Sequence, residues 1–559
     1  MKKTFALALL AAVSVSAVSA AAPVNKTTGA LGLPATPIDT ARLSAHVKVL
    51  SDDSFEGRGP ATPAEGKVID YVVKQMKAAG LTPGGSNGGW TQDVPLARFE
   101  VTGPVKMSLT AGGATQPLTQ TQEAVVQTLV PVSHVAIKDA PMVFVGYGVK
   151  APERGWDDFK GVDLKGKIAV VLINDPDFET PTAGKFGGKA MTYYGRWTYK
   201  YEEAARQGAV GMLIVHETEP ASYGWNTVKN SNSGVKFDIV RDEPGKSHPL
   251  LQGWIQHDLA VDLFRKSGLD FESQKKRAQT EGFTPVELKG ATFSADYDVK
   301  SSKIVSHNIA GKLVGKTHPA EVVLYSAHWD HLGIGAPDAK GDKIYNGAID
   351  NADGVAAVLE LARVYAHAPR TDRTVVFMAV TAEEQGLLGT EYYAQNPLYP
   401  LAKTVAMLNT DALTADGPAR DISVSGDSKG ELQDMLAAAA AKEGRRFTPD
   451  QEPGAGHFYR SDHFPMSKRG VPALSIESGM DLYTGGVAAG RKGKEDYVEH
   501  RYHQPADEWS ASWDMRGQAI DVGLIYKLGR ELANGRKWPE WKAGSEFKAA
   551  RDASAEERK

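Results

Sequence analysis

No cysteine occurs in the 559 residues of this chain. A disulfide framework is thereby excluded, and so is a lipid anchor carried on a cysteine. Charge of one sign is equally scarce: the formal net charge is -4, which offers neither a basic field for nucleic acid nor a polybasic patch for acidic lipid. Nucleic acid is therefore not an expected partner. Beyond the N-terminus no run is long and apolar enough to span a bilayer, which takes about 20 consecutive apolar residues, so stable membrane insertion is not expected either. Internal repeats and low-complexity arrays are also missing.

What is present is an ordinary globular composition, 42% hydrophobic and 24% charged, in a chain whose length favours two to four domains. It opens on MKKTFALALLAAVSVSAVSAAAP: two lysines, an apolar run from Phe5, and small residues among which Val18-Ser19-Ala20 fits the small-x-small cleavage rule. Residues 1–20 read as a secretory signal, too short for a transmembrane span. The expectation is a soluble exported protein, periplasmic or secreted.

Residues 21–139 pass from proline-rich loop into amphipathic helix. There TPAEGKVIDYVVKQMKAAG puts Val68, Tyr71, Val72, Met76 and Ala79 on one face, with a start at Thr62-Pro63 and a stop at Gly80. From about Pro141 the texture changes to short β-branched runs punctuated by glycine, PMVFVGYGV, GKIAVVLIND and GAVGMLIV, which mark a separate small α/β module over 140–290. Over 291–540 apolar strands and helices alternate: EVVLYSAH, GVAAVLELARVYAH, TVVFMAV, TVAMLNT, ELQDMLAAAAA, PALSI. Strands apolar on both sides call for an α/β fold with a mixed, mostly parallel central sheet flanked by helices, and in such sheets the working residues sit past the carboxyl ends of the strands. The stretch 541–559, ending SEFKAARDASAEERK, reads as a charged, solvated tail.

The residues just past the strand ends carry the chemistry. EVVLYSA leads into His328-Trp329-Asp330-His331, NGAI into Asp350-Asn351, VVFMAVTA into Glu383-Glu384 and VAMLNT into Asp411; His503 lies in the later loop RYHQPADEW. Singly, each has a plain structural use: a histidine after a strand is commonly a satisfied structural one, and Asp350, Asn351 and Asp353 precede GVAAVLELA and could cap that helix. Jointly they ask for more, because several unpaired carboxylates at one sheet edge are costly unless a cation or protons compensate. Imidazoles and carboxylates in this mixture suit a first-row divalent metal, zinc above all. Two ions would need a shared carboxylate, and Asp350 lies centrally in the set.

His328-x-Asp330, Gly347-Ala348-x-Asp350-Asn351-x-x-Gly354, Glu383-Glu384 with Gly386, Asn409-x-Asp411, Ser461-Asp462-His463 ahead of Gly470-Val471-Pro472-Ala473, and Tyr502-His503 stand in a distinctive order and spacing. With these motifs the region from about 300 to 530 resembles the di-zinc aminopeptidase family that includes glutamate carboxypeptidase II. SDDSFEGRG resembles that family's N-terminal part, and the module, with VGYGVKAP and GVDLKGKIAVVL, resembles a protease-associated domain inserted into the peptidase. The resemblance implies a zinc exopeptidase fold of the phosphorylase/hydrolase-like kind and two Zn2+ ions, one on His328, Asp350 and Asp411, the other on Asp350, Glu384 and His503. It further implies Asp330 as acceptor for the second ring nitrogen of His328, a cis peptide after Asp350, Glu383 as general base toward a zinc-bridged water and then acid toward the leaving amine, and Tyr502 as a donor to the oxyanion.

The activity implied is removal of N-terminal residues from peptides. Of the other polar residues, His331 reads as surface or as support for the ligands, His457 has no assigned role, Asp462 and His463 read as pocket support, Asn409 as support for Asp411, and Trp329 and Tyr483 as pocket lining or core. Relatives on this fold also cleave at the C-terminus by holding a substrate carboxylate, for which Arg460 and Arg491 lie in the right region. Others are one-zinc acyl transferases of the glutaminyl cyclase kind, or receptors and binding proteins that have lost catalysis. The complete ligand set favours the two-metal hydrolase over both.

Overall fold

The computed structural model describes residues 31–180, 184–232 and 234–558; the signal-like segment 1–20 lies outside them. The main strands join in one 16-stranded sheet. In its ligand-bearing half the order is Arg446–Phe447, Asp421–Val424, Ala473–Ser478, Thr404–Thr410, His318–His328, Arg373–Val380 and Val286–Leu313. The four strands from Ala473–Ser478 to Arg373–Val380 run parallel; Asp421–Val424 runs antiparallel to Ala473–Ser478 and parallel to Arg446–Phe447, and Val286–Leu313 runs antiparallel to Arg373–Val380. The sheet is thus mixed, and this half of it is mostly parallel, as its apolar strands require.

Every residue of Arg373–Val380 is buried. Because successive side chains of a strand point to opposite faces, this strand feeds two cores. Val375, Phe377 and Ala379 join Tyr325 and Ala327 beneath the helices Thr40–Leu50, Pro63–Ala79, Asp353–His367 and Arg516–Asn534. Val376, Met378 and Val380 meet Leu324, Met407, Tyr393 and Met466 on the other face. The helix Pro63–Ala79 begins on its proline and ends at Gly80, whose φ of 90° is the left-handed cap that glycine adopts without penalty.

The strands of the module over 140–290 continue the same sheet, while its apolar residues form cores of their own. Val286–Leu313 pairs with Arg373–Val380 along one stretch and with His134–Phe144 along another, so the sheet continues unbroken into His134–Phe144, Ile168–Leu172, Gly211–His216, Leu251–Gln256 and Ala124–Gln127. Thr91–Ala111 runs antiparallel beside it, from Thr292↔Thr110 to Ile309↔Thr91. The expected boundaries at 139/140 and 290/291 therefore fall inside His134–Phe144 and Val286–Leu313, and Ala114–Leu118 and Ala124–Gln127 lie on the module side. The sequence VTGPVKMSLTAGGATQPLTQTQEA hid this, since strands of an antiparallel ribbon bury one face only and carry no continuous apolar run.

The C-terminal stretch is not frayed either. Trp541 and Phe547 are 3% and 4% exposed, and Phe547 stacks on Phe458 with ring centroids 5.6 Å apart. Arg551, in the helix Lys548–Ala553, is buried and donates to the Thr404 carbonyl at 3.3 Å. Two aromatic anchors hold down a segment whose charge suggested solvent. Among the described residues no helix is long and apolar enough to cross a membrane.

Phe377 is fully buried and stacks on Tyr325 at 5.6 Å under those four helices. Phe377→Ala is expected to cost about 3–5 kcal/mol, read as an earlier midpoint in chemical denaturation; an unchanged midpoint would contradict this packing.

Candidate metal centre

Parallel strands bring their carboxyl ends to one edge, and the expected residues arrive there. His328 is the last residue of its strand, Asp411 comes directly after Thr404–Thr410, and Glu383 and Glu384 come just past Arg373–Val380. Asp350 sits in a tight turn, Ala348–Ala352, ahead of the helix Asp353–His367, and the Asp350–Asn351 peptide is cis. Asp507 fixes this turn by accepting from the amides of Ile349 at 3.1 Å and Asp350 at 3.0 Å.

Two imidazoles converge on Asp350 from different sides. His328 Nε2 lies 3.2 Å from Asp350 Oδ1 and 3.2 Å from Asp411 Oδ1. His503 Nε2 lies 3.2 Å from Asp350 Oδ2 and 3.2 Å from Glu384 Oε2. Donors bound tetrahedrally at about 2.0–2.1 Å to one zinc ion stand roughly 3.3 Å apart, and all four of these imidazole–carboxylate distances have that spacing. Glu384 Oε1 is buried, and among the described residues no well-aligned donor meets it; its close polar contact is His331 Nδ1 at 2.6 Å. The residues fit zinc.

Burial divides the two adjacent glutamates. It pushes the Glu383 carboxyl well above the ordinary carboxylate range, with Asp411, Glu384 and Asp462 adding to the effect and His328 opposing it. Burial would raise Glu384 too, but His503 and His331 outweigh it and bring that carboxyl down to about 2. One therefore favours holding a proton and the other favours standing ionised beside cations. Burial likewise lifts Asp330 and Asp462 to about 7.

Three expectations need correction or completion. Asp330 does not take the second ring nitrogen of His328 on its carboxylate: His328 Nδ1 is 3.1 Å from the Asp330 main-chain carbonyl and 3.8 Å from Oδ1. The Asp330 carboxylate instead accepts from the amides of Glu383 at 3.1 Å and Glu384 at 3.4 Å, tying one strand end to the next. His331 is not at the surface; it is fully buried with Nδ1 2.6 Å from Glu384 Oε1. Tyr502 keeps 42% exposure, and its ring stacks on that of His503 at 3.9 Å.

The remaining residues sort by contact. Asn409 donates to Ser461 Oγ at 2.8 Å and Ser461 to Asp411 Oδ2 at 2.6 Å, so its support for Asp411 is relayed. Asp462 accepts from Thr390 Oγ1 at 2.7 Å, and His463 is buried edge-on to Phe458. Trp329 is core, donating to the His307 carbonyl. His457 pairs with Asp450 at 3.6 Å, and Tyr483 lies under the Arg420 guanidinium. Arg460 donates to Ser222 of the module and Arg491 is exposed; among the described residues neither contacts the cluster.

Sequence reasoning missed Arg58 and Asp507. Arg58 is fully buried and spends its guanidinium on main-chain carbonyls: Trp329 at 2.8 Å, Leu50 at 2.8 Å, Asn346 at 2.6 Å, Gly347 at 2.7 Å and Asp350 at 3.4 Å. Burial pulls it down to about 10, while Asp350, Asp507, Asp330 and Glu384 hold its charge in place. The signals were faint: a single arginine in SFEGRG, and an aspartate four places after His503.

Among known proteins, a probable zinc metalloprotease of Pyrenophora tritici-repentis is 40% identical over 103 residues, 18% of this chain and 23% of that protein. A probable lipoprotein aminopeptidase of Mycobacterium tuberculosis is 24% identical over 519 residues, 88% of this chain and 85% of that protein. The chain spans less than half the length of the curated relatives it matches first. The aminopeptidase from Aneurinibacillus sp. strain AM-1 is a similar solved structure, with a TM-score of 0.49, 20% identity and coverage of 90% of this chain and 95% of that one. Residues 308–524, the stretch that carries all the expected site residues, match the model of peptidase family M28.

Proposed function

We propose that the protein is an exported, zinc-dependent metallo-exopeptidase: an aminopeptidase that removes N-terminal residues from peptides. The observation that carries this reading is the central position of Asp350, whose two oxygens each face an imidazole that is itself paired with a further carboxylate. His328, Asp350 and Asp411 would hold one zinc ion, and Asp350, Glu384 and His503 a second. Zinc held there supplies a Lewis acid that polarises the scissile carbonyl and acidifies the attacking water.

The chain's own groups do the rest. Glu383 Oε2 stands 3.9 Å from His328 Nε2, farther than the 3.2 Å of the ligand pairs, and its raised proton affinity suits it to take the proton of the water and pass it to the leaving amine. Tyr502, 42% exposed and stacked on the ring of His503, would donate to the developing oxyanion. Asp330 acts on geometry, fixing the amides from which the two glutamates diverge. The module, read as protease-associated, packs Tyr193 on Phe464 and Tyr459, which flank the Ser461 support of Asp411. The family match over 308–524 supports the reading, as do relatives named as a zinc metalloprotease and an aminopeptidase.

Two measurements test it. Purified protein should contain zinc and hydrolyse aminoacyl anilides; a chelator should abolish hydrolysis and added zinc should restore it, whereas hydrolysis that persists without metal would sink the proposal. Glu383→Ala is expected to lower kcat by about 10²–10⁴-fold with its zinc retained, while Glu384→Ala loses zinc as well as turnover. Equal zinc content and equal residual rates in the two variants would refute the division between them.

A further inference from the structure

His331 has no part in the scheme above, yet it is the least explained group beside it. It is fully buried, and neither ring nitrogen has a well-aligned hydrogen-bond partner among the described residues. Burying an imidazole so is costly unless the ring serves something nearby. The ring is also held from both sides. Its amide donates to the Arg58 carbonyl at 3.2 Å, and Gly347, at a φ of 57°, leaves open a space in which a Cβ would come within 2.6 Å of the ring's Cγ and Cδ2.

So fixed, the ring presents Nδ1 to Glu384 Oε1 at 2.6 Å, while the other oxygen, Oε2, faces His503 at 3.2 Å. His331, Asp350 and Glu384 bring donor atoms within 4.8 Å of one another. Two readings of that group differ in one distance. Co-ligands of a single zinc ion stand about 3.3 Å apart, and 2.6 Å is too short for that; it is a close, bent contact of the charge-assisted N–H to carboxylate kind. Carboxylates that bind metal are commonly themselves hydrogen-bonded by a partner that sets their orientation.

We propose that His331 is the positioning residue for Glu384: by donating from Nδ1 to Oε1 it commits Oε2 to the ion shared with Asp350 and His503. The inference rests on the two-ion reading and goes beyond it, because it makes the two ions unequal. The ion on His328, Asp350 and Asp411 would feel His331 only through the shared Asp350, whereas the other would depend on it through Glu384 directly.

The test uses zinc alone, titrated into the apo full-length chain against a chromogenic chelator with no peptide present. Wild type should take up two equivalents. In His331→Leu one equivalent should weaken by about 10–100-fold while the other stays as in wild type. His331→Asn, whose amide can donate from near the position of Nδ1, should recover most of the loss, a rescue that a space-filling role would not produce. Wild-type affinities in His331→Leu, equal weakening of both equivalents, or an Asn variant as poor as Leu would each overturn the proposal. If His331→Leu fails to fold, as judged by circular dichroism and the apo thermal midpoint, the smaller His331→Ala takes its place against Asn with the same outcomes. The readout also separates this inference from the peptidase reading. A protein that cleaves anilides but shows unchanged zinc affinities in His331→Leu overturns only this proposal, and one that loses a single equivalent yet cleaves nothing overturns only the peptidase reading.

Discussion

Like charges withdrawn from water repel one another strongly, and this protein gathers Asp330, Asp350, Asp353, Glu384, Asp462 and Asp507 at one sheet edge with almost no solvent around them. Everything near that edge answers to the repulsion. Arg58 supplies a permanent positive charge behind the Asp350 turn, main-chain amides cover Asp330 and Asp507, and His328 and His503 stand in front. A buried carboxylate keeps its charge only where such partners are close. Divalent cations between the imidazoles would complete the balance, which is why the same residues look overcrowded as a structural network and well matched as a donor set.

The sheet makes this crowding possible. Parallel strands deliver one loop after another to a single edge, so that four segments far apart in sequence meet without any of them being long. The helices on the site side of the sheet bring in the groups that the strands cannot: Asp353–His367 succeeds the turn carrying Asp350, and the segment before Pro63–Ala79 carries Arg58. On the far side of Val286–Leu313 the same sheet becomes the floor of the module, whose Tyr193 reaches back to Phe464 and Tyr459.

How legible all this was depended on which physical signal each part wrote into the sequence. TVVFMAV and VAMLNT announced themselves because a strand buried on both faces must be apolar throughout, and the residues just beyond them could be counted off directly. The ribbon of Thr91–Ala111 and Val286–Leu313 did not, because one wet face dilutes its pattern, and so the strands that run across the module's expected edges went unseen. His328, Asp350, Glu384, Asp411 and His503 were singled out as residues past strand ends and by a family resemblance, and the structure brings them to one edge. Asp330 was found, but its bonding was not, since which oxygen a ring nitrogen meets is a matter of loop geometry that spacing does not encode. Arg58 was invisible for a related reason: its partners are carbonyls, which every residue possesses. Trp541 and Phe547 show the reverse failure, with charge outvoting two aromatics in the reading of the C-terminal stretch.

The reach of Arg58 also sets an order in time. Its guanidinium meets the Trp329 and Asp350 carbonyls across 271 and 292 positions of chain, and Asp507 closes on the Asp350 amide across 157 more. Contacts of such separation form late, because the loop between them must be ordered before they are rewarded. During synthesis the turn that carries Asp350 therefore has no clamp until nearly the whole chain exists, and a molecule truncated before residue 507 has its sheet strands but no finished centre.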